Sequence, residues 1–470
     1  MGQHQLIVVS NRGPYRQVSS GGKARWVRSA GGLVAALDPV LRNRGGVWVS
    51  AEQADLRSTV EVEIPSLAYE LASVKISRSV QHGFYEGVSN ALLWPLLHSM
   101  PPTIRAGEAP WHHYVSANEI FAEGVINAFA SSSSEAWMWV QDYQLMLVPG
   151  IVAAKCPRAR IAWFCHVPWP SPEMFRILPW RNEVLEGLLG AHVLGFHTEA
   201  YAVNFLECVH LLTDYKVDFE RMCVTGPRHR TRIVAAPIGI SVNEVQSLAA
   251  DSIVNSEAER LRHAVGDRRM ILGVDRLDYT KGIPERIQAY EHFLRSDKSA
   301  RDRFVFVQVM VPSRVGIEAY ARLKNEVDRM IGDVNGRYSS TGRIPIHYLY
   351  RSLDQRALYA HYRAADVAFV TPLRDGMNLV AHEYIASRVE GDGVLVLSEF
   401  AGAATYMKDA LQVNPYDVQA TFATLRQALT MKPAEVKRRM QRLRAQVLKL
   451  DVHRWADKFL RMLDHDSSSP

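Results

Sequence analysis

Cysteine is scarce in this chain, with four among 470 residues, at positions 156, 165, 208 and 223, and none in a CxxC pair. So few and so scattered a set excludes a disulfide framework and reads as reduced thiols. The 17 histidines form no HExxH pair and no paired Cys/His spacing, so no metal is expected. Long apolar runs are also missing: none approaches the roughly 18 residues that a bilayer span requires. The first apolar run, within Gln5–Ser10, is too short for the core of a secretory leader and has no basic stretch before it, so a soluble, cytoplasmic chain is expected. There is no internal repeat. The net charge of +6 is modest. Its densest cluster, Lys437, Arg438, Arg439, Arg442 and Arg444, interleaves with Met440, Leu443 and Val447 at helical spacing. That is the pattern of a solvated helix face, so neither nucleic acid nor a membrane is an expected partner.

Hydrophobic residues make up 47% of the sequence, in short runs. Ten stand out: 6–9, 136–140, 161–164, 193–196, 233–236, 271–274, 304–309, 347–350, 367–370 and 394–397. Most are separated by helical patterns, and buried strands alternating with helices are the signature of parallel α/β layers. Ten strands exceed one ordinary doubly wound sheet, so two α/β domains are expected, 1–245 and 246–450. A polar stretch around 242–259 is read as their junction.

In open parallel sheets ligands bind beyond the carboxyl ends of the strands. The residues at those ends are polar or glycine-rich in both halves: Asn11 and Arg12, Gln141 and Asp142, His166, Arg276 and Lys281, Arg314, and Arg374-Asp375-Gly376-Met377-Asn378. Arg276 and Lys281 stand between a strand pattern and a helix whose apolar positions are Ile283, Ile287, Tyr290 and Leu294, with Pro284 in its first turn. Two cations beside a helix N-terminus suit a doubly negative group such as a pyrophosphate. The plainer reading is a surface ion pair with Asp275, Asp278 or Glu285.

Nine blocks in order make the chain resemble the trehalose-6-phosphate synthases, retaining glycosyltransferases of the GT-B architecture. They are VVSNR at 8–12, SAGGL at 29–33, SNALLWP at 89–95, WVQDYQLMLVP at 139–149, HVPWPSPEMFRILP at 166–179, LGFHTE at 194–199, GVDRLDYTKGIPER at 273–286, RDGMNLVAHEY at 374–384 and LSEFAGAA at 397–404. The resemblance implies two Rossmann-like domains whose parallel sheets face a central cleft. It also implies that 451–470 forms a terminal helix returning to the first domain, followed by a tail.

The resemblance further implies roles. Arg276 and Lys281 would grip the diphosphate of a nucleotide sugar and steady it as leaving group. Gly31 and Gly32 would let backbone approach the donor phosphate. Asp375 would accept from donor-sugar hydroxyls near C3, with the main chain of Gly376, Met377, Asn378, Leu379 and Val380 completing the sugar pocket. Glu383, read as starting a helix, would take the ribose hydroxyls. His166 would face the sugar's C6 hydroxyl and the reacting centre. Arg12, Tyr85, Trp94 and Arg314 match the family's acceptor-phosphate residues, and Asp142 would contact acceptor hydroxyls. The catalytic set is thus His166, Arg276, Lys281 and Asp375, with no metal or resident cofactor. The implied reaction transfers glucose from a nucleotide diphosphate glucose, UDP-glucose by default, to glucose 6-phosphate. The base could also be adenine or guanine. Rival readings are a relative using another phosphorylated acceptor, such as a glucosylglycerol-phosphate synthase or a pseudo-glycosyltransferase, and a catalytically silent sugar-phosphate sensor. A homo-oligomer is compatible with the resemblance. His382 departs from the family, where many relatives carry lysine.

Overall fold

The computed structural model describes residues 4–20, 23–29, 31–52, 67–102, 110–132, 136–226, 228–314 and 317–464. The chain divides into two compact units, Met1–Ile238 with Val452–Pro470, and Gly239–Asp451. Among the described residues no helix is long and apolar enough to cross a membrane.

The first unit is built on a nine-stranded sheet in the order Glu70–Val74, Val47–Ala51, Gln5–Ser10, Ala136–Gln141, Arg160–Phe164, Val193–Phe196, Arg230–Ala235, Cys223–Thr225 and Lys216–Asp218. The first seven pair in parallel, and the last two turn antiparallel at the edge. The central strands are buried on both faces, which is why they read as continuous apolar runs rather than alternating ones. Helix Val452–Leu460 belongs to this unit although it is last in sequence. It buries Val452, Trp455, Ala456, Phe459 and Leu460, an i, i+3, i+4, i+7, i+8 stripe. The Trp455 indole donates to the Ala236 carbonyl at 3.0 Å and its ring lies 4.9 Å from that of Trp139.

The second unit carries a six-stranded, all-parallel sheet in the order Ile346–Leu349, Phe304–Val311, Arg269–Arg276, Val367–Val370, Val394–Ser398 and Leu411–Val413. Helix Ile283–Ser296 packs Ile283, Ile287, Tyr290 and Leu294 into its core, as the spacing predicts. All ten sequence runs are strands, with ends shifted by up to three residues.

The stretch read as a polar junction is instead two helices of the second unit, Val242–Ala250 and Ser252–Val265. Its apolar residues are sparse but fall on one stripe each, Val242, Val245 and Ala249, then Val254, Ala258 and Val265. Asp251 separates the helices by capping the second through the Ile253 N–H at 2.7 Å. The chain enters and leaves this unit side by side: Ile240 bridges Asp451, and a Cβ on Gly239 would lie 1.2 Å from the Leu450 carbonyl oxygen. Only glycine allows that approach.

Candidate active site

In the second unit the expected donor residues gather at strand ends. Arg276 is the last residue of its strand and is exposed. Lys281 closes the 3₁₀ turn Tyr279–Lys281 and is buried. Gly282 follows at φ 62°, and a Cβ there would meet the Thr371 carbonyl at 2.3 Å, so glycine presses this turn against the end of the next strand. Lys281 is ion-paired, but not with the acids near it in sequence: its Nζ lies 2.6 Å from Asp375 Oδ2. The Asn378 amide donates to the same oxygen at 2.9 Å. Asp375 is fixed through its backbone as well, its N–H donating to the Phe400 carbonyl and its carbonyl accepting from the Gly402 N–H. One proposed leaving-group cation and the proposed sugar-binding carboxylate are therefore one unit, held by two loops.

Beneath this turn lies a fully buried guanidinium, that of Arg286. It pairs with Asp275, donates to Thr371 Oγ1 at 2.9 Å and Gln308 Oε1 at 3.2 Å, and reaches the Lys281 carbonyl at 3.2 Å. A buried arginine is tolerable only with its charge matched and its donors satisfied. Here the partners that satisfy it come from two strand ends, the middle of a third strand and the Lys281 turn.

The loop from Asp375 runs into helix Leu379–Ser387, whose N-cap is Asn378 at φ 75°. Glu383 sits one turn inside that helix rather than at its start, because the cap falls on Asn378. Its carboxylate accepts from the Tyr362 hydroxyl at 2.9 Å. Burial pushes its carboxyl up from 4.5 to about 7. His382 is wholly buried and held neutral by burial, with its pKa lowered to about 4. A raised carboxyl binds more protons folded than unfolded, so it costs stability as pH rises from the unfolded value towards 7, and fully above it. Glu383→Gln is therefore expected to raise the melting temperature at pH 8, by an increment worth at most about 3 kcal/mol. It should change little at pH 4 and should weaken nucleotide binding at pH 8. Thermal melts across that range check the sign.

Arg314, at φ 49°, is also in the second unit. Its side chain is only 4% exposed and donates to Asp278 Oδ2 at 3.1 Å and to the Tyr320 hydroxyl. A carboxylate therefore faces this cation before any phosphate binds.

In the first unit, Arg12 is exposed just past its strand and donates to the Tyr85 hydroxyl at 2.6 Å, with its guanidinium 5.0 Å from that ring. Tyr85 lies in the widened helical segment His82–Leu93, which runs directly into Trp94–Leu97. Trp94 is buried, its ring 4.1 Å from His98 and 5.8 Å from Tyr143. Gly31 is the N-cap of helix Gly32–Arg44 at φ 142°, with no side chain capping the first turn. The two glycines follow a hairpin, Tyr15–Ser20 with Lys23–Arg28. Asp142 sits at φ 70°, and its carboxylate accepts the His166 N–H at 3.2 Å. His166 Nε2 lies 2.9 Å from Gln141 Oε1, and burial, with a contribution from His197, holds the ring well below its usual pKa. Neutral His166 thus hangs from two consecutive residues at the end of the neighbouring strand.

The glycosyltransferase family 20 model matches residues 4–465. The chain belongs to that family. This family 20 member is 41% identical to the trehalose-6-phosphate synthase of Mycobacterium leprae over 98% of its own length and 95% of the relative's. Its structure resembles that of a UDP-forming α,α-trehalose-phosphate synthase from Burkholderia xenovorans in complex with glucose-6-phosphate, with a TM-score of 0.88 at 30% identity, covering 98% of this chain and 100% of that one. It also resembles the Escherichia coli protein bound with UDP-2-fluoro glucose, with a TM-score of 0.86 at 32% identity, covering 98% and 99%. The fold is the GT-B class, an α/β chain with two parallel sheets.

Three partners in this glycosyltransferase were not singled out from sequence as site residues, Tyr362 behind Glu383, Arg286 behind Lys281 and Asp278 behind Arg314, while Gln141, behind His166, stood only among the polar strand ends. Asp278 carried a local signal, since Asp-x-Thr is a turn-forming spacing. Tyr362 carried none; it arrives from a separate helix, Gln355–Ala364.

Proposed function

We propose that this chain is a retaining glucosyltransferase that moves glucose from UDP-glucose to glucose 6-phosphate, forming α,α-trehalose 6-phosphate. The observation that carries the reading is the Lys281–Asp375 pair, a buried ammonium and a carboxylate fixed at 2.6 Å beside the strand end bearing Arg276. It sets a charge for a departing phosphate next to an acceptor for sugar hydroxyls. The named complexes of the Burkholderia xenovorans and Escherichia coli relatives support the choice of both substrates.

In this scheme the bond from the sugar's anomeric carbon to the diphosphate oxygen breaks as the acceptor hydroxyl oxygen bonds the same face of that carbon. The hydroxyl's proton passes to the leaving diphosphate oxygen. Arg276 and Lys281 stabilise the charge growing there, which lowers the transition state more than the ground state. Neutral His166 hydrogen-bonds the sugar near C6, and Asp375 holds hydroxyls near C3. Glu383 takes the ribose. Arg12, Tyr85 and Arg314 bind the acceptor's phosphate, and Asp142 its hydroxyls. No protein nucleophile takes part, unlike the paired carboxylates of retaining glycosidases. The test is product formation by purified protein from UDP-, ADP- and GDP-glucose, each with glucose 6-phosphate. Trehalose 6-phosphate is expected with UDP-glucose as the best donor. Absence of turnover with all three overturns the reading.

A further inference from the structure

Arg276, Lys281 and Arg314 surround a carboxylate that none of the proposed roles uses. Asp278 is fully buried, between Arg276 and Lys281 in sequence. Its two oxygens have separate duties. Oδ1 accepts from the Thr280 N–H at 3.1 Å and the Thr280 hydroxyl at 2.9 Å, and so builds the turn whose last residue is Lys281. Oδ2 accepts from Arg314 at 3.1 Å and from the Tyr320 hydroxyl at 3.3 Å, while Arg314 also donates to that hydroxyl.

We propose that Asp278 is a positioning residue shared by the two substrates, one oxygen setting the Lys281 turn for the donor and the other setting the Arg314 guanidinium for the acceptor phosphate. The inference rests on the roles given above to Lys281 and Arg314. Arg314 needs such a holder: a non-glycine residue at φ 49° is strained and persists only where its surroundings over-determine it. Burial by itself would raise the Asp278 carboxyl, yet Arg314, Arg276, Lys281 and the Thr280 N–H bring it below its usual value, so it stands ionised as their common counter-charge. Tyr320 is kept protonated by burial and by Asp278, which preserves it as a donor to that oxygen.

The experiment is calorimetric binding of glucose 6-phosphate and of UDP, separately, so that it does not depend on turnover. Asp278→Asn keeps an oxygen for Thr280 but turns an amide donor towards Arg314. It is expected to weaken glucose 6-phosphate binding by about tenfold or more, the scale of one lost charge-assisted bond, with UDP binding within about twofold. In an Arg314→Ala background the same change should cost nothing further, because Asp278 acts through Arg314. Tyr320→Phe should weaken glucose 6-phosphate alone, and Thr280→Val should weaken UDP alone, each by roughly threefold. A folded Asp278→Asn protein with wild-type affinity for glucose 6-phosphate overturns the proposal. So does a loss that multiplies fully with that of Arg314→Ala, as a general brace would give. If Asp278→Asn does not fold, Tyr320→Phe decides, and unchanged glucose 6-phosphate affinity there is the overturning result. If Arg314→Ala binds glucose 6-phosphate normally, the Arg314 role and this inference fall together, whereas failure of turnover in the wild type strikes the reaction alone.

Discussion

Arg276→Ala and Lys281→Ala are each expected to lower kcat by roughly two to three orders of magnitude, the loss typical of removing one donor from a developing oxyanion. The two should differ in their side effects. Arg276 is exposed at a strand end, so its removal should disturb folding less, costing only part of the positive charge around Asp278. Lys281 is buried against Asp375, and truncating it leaves that carboxylate with the Asn378 amide but without its ammonium partner. A modest loss of thermal stability should accompany Lys281→Ala, since breaking a buried pair strands the other charge. Lys281→Met keeps the side-chain volume and should show the same fall in kcat, which separates charge from packing. Single-turnover kinetics with saturating substrates make the comparison. A kcat within threefold of wild type in both alanine variants would falsify the leaving-group assignment.

What the sequence made legible follows the range of the physics involved. Strands such as Val193–Phe196 and Val367–Val370 were readable because burial on both faces leaves a continuous apolar run. The helix after Lys281 was readable because four residues, Ile283 to Leu294, repeat its period. Strands Val47–Ala51, Glu70–Val74 and Leu411–Val413 were missed because they lie at or next to sheet edges, where polar residues are tolerated and interrupt the apolar run. The helices at 242–265 were missed because a helix needs only one apolar residue in three or four, which looks like a linker when read as composition. At the site, positions at strand ends were predictable from topology, but pairings were not. Lys281 has acids three and four residues away and bonds one that is 94 residues away. Distance in sequence carries no information about which strand end lies beside which, so the partners behind each site residue became visible only with the sheet order.

Arg12→Ala should raise the KM for glucose 6-phosphate by roughly 10- to 100-fold while leaving that for the nucleotide sugar within about twofold. The two arginines proposed to hold the acceptor differ in what already faces them. Arg314 already faces Asp278, so a bound phosphate adds to a charge that is partly matched. Arg12 has a neutral partner, the Tyr85 hydroxyl, and is exposed, so a phosphate would supply charge as well as hydrogen bonds. Tyr85→Phe removes only a hydroxyl and should cost several-fold. Arg12→Lys should recover part of the loss, because an ammonium keeps the charge but not the planar fork. The wild-type preference follows: free glucose can accept neither arginine's charge-assisted hydrogen bond at the phosphate position, so it should be used less well than glucose 6-phosphate by roughly a thousandfold in kcat/KM. Steady-state kinetics with both acceptors, for the wild type and the three variants, test the whole set. A wild type indifferent to the acceptor's phosphate, or an Arg12→Ala protein whose loss falls on the donor, would remove the phosphate from this site and with it trehalose 6-phosphate as product.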